Sequence, residues 1–140
     1  MYRASWFWVR VASLSYAFFG GAHTAGMLVP AARGAEEANA LAAIGLFEFD
    51  VMGVRRSHLV FYEGLGWLLT ANLALLACVL WALSSLARRD AALARPLILC
   101  MALGAIPIAG LCWWFFFPAP GVISTLAAVS LAIAVRTAKA

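Results

Sequence analysis

Charge is what this sequence has least of. Asp, Glu, Lys and Arg make up 11% of the 140 residues, and none falls between Val11 and Val29 or between Pro96 and Val135. A soluble domain carries about a quarter charged residues. With 66% of its residues hydrophobic, a chain this short has no way to hide its apolar surface in a water-soluble core. Cysteine is scarce too. Cys78, Cys100 and Cys112 are odd in number and lie inside apolar runs, which excludes a disulfide framework. No CxxC or His-rich spacing accompanies them, so zinc is excluded as well, and buried small hydrophobe is their expected role. No nucleophile–base arrangement, Gly-rich phosphate loop or metal cluster is present, which argues against a hydrolase, a kinase or a metalloenzyme. Ten basic residues outnumber six acidic ones, yet they sit at the ends of apolar runs and form no aromatic-interleaved patch, so nucleic acid is not an expected partner.

What is there in quantity is the uninterrupted apolar run. A membrane-spanning helix needs about 20 such residues, and four segments supply them: about 11–29, 57–87, 96–117 and 120–135. The first follows Trp6 and Trp8, residues suited to the membrane interface. It is too long for the apolar part of a cleaved signal peptide and reads as a retained helix. The third opens on Arg95-Pro96, with proline in the first turn where its missing N–H is no loss, and Pro107 predicts a kink in its middle. Pro118-Ala119-Pro120-Gly121 predicts a tight turn, so the third and fourth helices form an antiparallel hairpin. The short fourth helix stands near-perpendicular to the bilayer or thins it locally. The connection from Ala31 to Arg56 is long. Within it Leu41, Ile44, Phe47 and Val51 recur at helical spacing, which predicts an amphipathic segment on the membrane surface. The expected fold is all-α: an integral membrane four-helix bundle in one domain, with a long loop holding an interfacial helix between the first two spans.

Basic residues give the orientation. Arg3, Arg10, Arg88, Arg89, Arg95, Arg136 and Lys139 share one side, while Arg33, Arg55 and Arg56 share the other with Glu36, Glu37, Glu48 and Asp50. Both termini are expected in the cytoplasm of a bacterial inner membrane, with the long loop outside.

Candidate site residues are those costly to place in lipid. His23 and Glu63 both fall roughly 10 Å below the outer surface at 1.5 Å per residue. They could pair to bind a proton or orient a ligand; a structural pair fixing helix register is the competing reading. Gly20 and Gly26 flank His23 on one face and leave room for a flat macrocycle, which makes His23 a weak candidate for axial ligation of haem or chlorophyll. Asn72 is deep enough to need an interhelical partner. Arg55, Arg56 and His58 gather at a helix N-terminus and would attract an anion, a lipid phosphate being the ordinary occupant. Ser13, Ala17, Gly21 and Ala25 form a small-residue stripe for close helix packing. The run Trp113-Trp114-Phe115-Phe116-Phe117 suits an aromatic belt or a groove for lipid or quinone.

Two resemblances follow from these residues. Val54-Arg55-Arg56-Ser57-His58-Leu59, with Glu63 five residues after His58, resembles the signature that opens the second helix of membrane-associated glutathione transferases. Val60 and Gly64 depart from that pattern. The likeness implies that Arg55, Arg56, His58 and Glu63 would contact glutathione. More broadly, Gly20-Gly21-Ala22-His23-Thr24, Met52 to His58, Arg95-Pro96-Leu97-Ile98-Leu99 and Phe115-Phe116-Phe117-Pro118 resemble a group of small uncharacterised bacterial four-helix membrane proteins, which implies the fold and no activity.

The function expected from the whole is non-catalytic: an accessory transmembrane subunit, in contact with membrane lipids and other transmembrane subunits of a larger complex of respiratory or photosynthetic type. The alternatives are an enzyme or binding protein for a lipophilic molecule, and a tetrapyrrole-ligating subunit. Any site is expected between the first two spans, in the outer half of the membrane.

Overall fold

The computed structural model describes residues 5–29 and 34–138. Pro30, Arg3, Arg33 and Lys139, used above to mark the end of the first span and to count charge, lie outside them. The chain is mostly helical. Helix α1 is Ser5–Leu28 and α2 is Ala35–Leu46. Strands β1 (Glu48–Val51) and β2 (Val54–Ser57) follow, and then α3 (His58–Arg89), α4 (Ala91–Phe115) and α5 (Pro118–Thr137). Three helices, α3, α4 and α5, are long and apolar enough to cross a membrane. Helix α1 is long enough at 24 residues, but Ser13, Ser15, Tyr16, Gly20, Gly21, His23 and Thr24 make it less apolar.

The chain divides into two compact units. The first combines α1 up to Gly20 with the chain from Leu73 onward. Its buried positions recur at helical spacing: Val9, Ala12, Ser13, Tyr16, Phe19 and Gly20 on α1, and Leu73, Ala77, Leu80, Ser84 and Ala87 on α3. Helices α1 and α3 run antiparallel here, joined where Ser13 Oγ donates to the Ala77 carbonyl at 2.7 Å. The α4–α5 hairpin is packed on small residues, among them Ala102, Ala105 and Ala109 against Ser124, Ala127 and Ala134, the composition that lets helices approach closely in lipid. Ser124 Oγ donates to Cys112 Sγ at 3.3 Å. Trp113 lies across Gly121 and donates its indole N–H to Thr125 Oγ1 at 2.9 Å.

The second unit, Gly21 to Asn72, holds the end of α1, α2, the strands and the start of α3. The two strands pair antiparallel, Glu48 opposite Ser57 and Val51 opposite Val54. Met52 and Gly53 turn the hairpin with φ of 56° and 79°, the left-handed pair that matches the twist of a two-residue hairpin loop. Asp50 Oδ1 accepts from Gly53 N at 3.0 Å. This hairpin amends the all-α expectation. Its turn lacks the Asn-Gly or Asp-Gly signature, and the helical spacing that runs through Leu41, Ile44, Phe47 and Val51 is cut short where α2 ends at Leu46.

The helix ends also differ from expectation in ways the chemistry explains. Helix α4 starts five residues before Pro96, because Asp90 accepts from Leu93 N at 2.9 Å as an N-cap and Ala91, Ala92, Leu93 and Ala94 are strong helix formers. The turn expected over residues 118–121 is instead the first turn of α5, with Pro118 at its first position and only Phe116 and Phe117 linking the helices.

Candidate functional site

In the second unit the polar side chains of α1 meet the backbone of α3. His23 Nε2 lies 3.0 Å from the Gly66 carbonyl oxygen. A carbonyl only accepts, so Nε2 carries a proton and is the donor in this bond. Thr24 Oγ1 and Thr70 Oγ1 are 3.3 Å apart. At Gly66 the close neighbour is Met27: a Cβ there would sit 2.7 Å from Met27 Sδ, while His23 Nε2 would stand at an ordinary contact distance of 3.9 Å.

The pair expected between His23 and Glu63 is not formed. Glu63 is exposed and lies one turn before Gly66, rotated by about 60° from it. A glycine carbonyl with no side chain above it is the nearer acceptor. Nor does the room expected for a macrocycle lie open on both sides of His23. Gly20 is buried, with its Cβ direction filled by Leu73 at 3.3 Å; only Gly26 faces open space. Among the described residues no three His, Cys, Asp or Glu side chains gather as a metal-holding group.

Asn72 needs no partner on another helix. Its Nδ2 donates to the Leu68 carbonyl at 2.8 Å, four residues back on its own helix, a local bond open to any amide at this reach. The small-residue stripe also fails to act as one. Ser13 is buried, but Ala17, Gly21 and Ala25 are exposed. Each step of four advances 40° past a full turn, so Ala25 has rotated about 120° from Ser13. The contacting face instead alternates steps of three and four.

Arg55, Arg56 and His58 lie together on β2 and the start of α3, and one nitrogen of each is engaged locally. Arg55 pairs with Glu48 at 3.0 Å. Arg56 Nη1 folds back onto the Arg55 carbonyl at 2.8 Å. His58 donates from Nδ1 to the Phe47 carbonyl at 3.0 Å, and its ring packs edge-on against Phe49 with centroids 5.0 Å apart. Phe49 in turn meets Phe61 at 5.7 Å. This arrangement fastens the hairpin to the first turn of α3. It does not gather Glu63 with the basic residues, since none of the hydrogen bonds or ion pairs among the described residues joins them.

Sequence reasoning missed Gly66, Thr70 and Met27. The signal was available in the antiparallel register, in which His23, Thr24 and Met27 on one helix climb as Gly66 and Thr70 on the other descend. It also treated Arg10 and Arg88 as charge counts, whereas both guanidinium groups lie over indole rings. Comparison with family models, with curated proteins and with solved structures finds no match.

Proposed function

We propose that the chain is a non-catalytic transmembrane accessory subunit. In this reading α1, α3, α4 and α5 are the four spans of a bundle in a bacterial inner membrane, with both termini cytoplasmic. It works by packing against lipid and against other transmembrane subunits of a larger complex, of respiratory or photosynthetic type.

One observation carries the reading. From Gly21 to Asn72 no described residue is buried, although the segment is rich in large apolar side chains. On α2 and the hairpin alone, Ile44, Leu46, Phe47, Val51, Met52 and Val54 are exposed. Apolar surface of this extent, held outside the long spans, marks contact with a protein or a membrane. The exposed belt from Trp113 to Phe117 adds a second such surface at one end of the α4–α5 hairpin.

The length of α3 also bears on the candidate site. Its 32 residues rise about 48 Å, well beyond a hydrocarbon core of about 30 Å. With Arg88 and Arg89 at one interface, about 20 residues of span reach back to Leu68. His58 and Glu63 then stand beyond the hydrocarbon, where an ionised carboxylate is inexpensive, and no proton-binding role is needed to explain Glu63.

Gentle detergent extraction followed by native electrophoresis tests the proposal. Co-migration of the chain with a much larger membrane complex is the expected result. Migration as a small homo-oligomer, with activity toward a lipophilic substrate, would count against it.

A further inference from the structure

At the arginine-bearing end of the first unit, two cations and two indoles form one cluster. The Arg10 guanidinium carbon lies 3.9 Å from the centroid of the Trp81 ring and 5.9 Å from that of Trp6. Arg88 approaches the same Trp6 ring at 5.4 Å. Stacking on indole fixes the plane of a guanidinium and leaves its edge donors directed outward. For Arg10 the inner donor, Nε, is sealed from solvent without a hydrogen-bond partner. Its terminal nitrogens make no hydrogen bond to a described residue.

No ion pair among the described residues joins a carboxylate to Arg10 or Arg88; the ion pair there joins Arg55 to Glu48. Asp90, two residues after Arg88, is engaged as the N-cap of α4. Arg88 also follows Trp81 by seven residues on α3, so both project from one side of the helix where a bilayer surface would lie.

We propose that Arg10 and Arg88, held on Trp6 and Trp81, form a binding site for the phosphodiester of an anionic phospholipid in the leaflet at this end of the bundle. The site rests on the membrane reading above. Two planar donors recognise a phosphate bidentately, and the indoles supply the amphipathic surface on which a headgroup meets its acyl chains. A net anionic lipid is favoured over a zwitterionic one because the cluster brings two positive charges that form no ion pair with a described residue. Each arginine near a membrane surface contributes about fivefold to such binding.

The full-length protein in detergent is titrated separately with phosphatidylglycerol, phosphatidylcholine and inorganic phosphate. Retained lipid is read by native mass spectrometry, and tryptophan emission is followed in parallel. Phosphatidylglycerol is expected to bind at least fivefold more tightly than phosphatidylcholine, with a change in emission that millimolar phosphate does not reproduce. Arg88→Gln should weaken it about fivefold. Arg10→Lys, which keeps the charge and loses the stack, should weaken it less than Arg10→Gln, while Arg136→Gln should leave it unchanged. Equal retention of the two lipids, unchanged retention in Arg88→Gln, or full competition by inorganic phosphate overturns the site. Should Arg10→Gln fail to fold, Arg88→Gln and Arg10→Lys still decide the matter. Failure of the chain to partition into membranes would instead overturn the membrane reading itself.

Discussion

His23 donates through Nε2 to the carbonyl oxygen of Gly66, 3.0 Å away across two antiparallel helices. The acceptor is backbone, so the bond survives any change of side chain at position 66 that still permits the approach, and it leaves Glu63 uninvolved. Interhelical bonds of this kind contribute about 0.6 kcal/mol on average and at most about 1.7. His23→Leu should therefore lower stability by about 1 kcal/mol, while Glu63→Gln should change it by less than about 0.5. Unfolding of both single variants and the double variant in mixed micelles checks this. Additivity within about 0.5 kcal/mol is expected; a larger coupling would show that the two side chains interact after all.

Adjacent glycines on α1 should respond to very different degrees. Gly20 is buried, and a Cβ there would lie 3.3 Å from Leu73 Cβ. A Cβ on Gly21 meets nothing within 4 Å. Gly20→Val is expected to cost about 1–3 kcal/mol by overpacking, and Gly21→Val less than about 0.5. Thermal unfolding in one detergent would rank them. The reverse order would restore the four-residue stripe through Gly21 as the packing face.

That contrast shows where the sequence was legible and where it was not. The apolar spans could be read because bilayer thickness sets a length that a chain must meet with uncharged residues. Their antiparallel succession followed from links as short as Asp90. The packing face was harder, since a stripe of small residues at every fourth position rotates off the contact within two turns, and nothing in composition says which face a neighbour covers. The hairpin was hidden for a different reason. Phe47, Val51 and Val54 fit a helical or an extended pattern equally well over so short a stretch, and Met52 carries no turn signature. The site was half legible: His23 does engage the helix expected to face it, but the partner is a carbonyl, a group every residue has and no sequence advertises.

Met52 stands at φ 56° with its side chain 97% exposed, so it incurs left-handed strain and gains no packing in return. Met52→Gly should stabilise the hairpin by about 1 kcal/mol. Gly53→Val, at φ 79°, should destabilise it by a similar amount. Amide hydrogen exchange at Phe49 and Val51 reads this locally: slower in the first variant and faster in the second. Equal exchange in both would mean that the turn is not held in this conformation.

Two further glycines separate a rigid neighbour from a yielding one. A Cβ on Gly121 would lie 2.6 Å from Trp113 Cδ2, and a Cβ on Gly66 would lie 2.7 Å from Met27 Sδ. The distances are alike, but the obstacles differ. Met27 offers the far end of an unbranched side chain with three rotatable bonds, which moves aside at little cost. Trp113 offers a flat ring whose N–H is bonded to Thr125 Oγ1, so displacing it also breaks a hydrogen bond. Gly121→Ala is expected to cost about 1–3 kcal/mol, whereas Gly66→Ala should stay within about 1 kcal/mol, because alanine recovers helix propensity there. Tryptophan fluorescence adds a second readout, since a displaced Trp113 should shift its emission in Gly121→Ala while Gly66→Ala leaves the spectrum unchanged. Equal destabilisation by the two substitutions would mean that the indole is as free to move as the thioether, and that the α4–α5 hairpin is not locked by the Trp113–Thr125 bond.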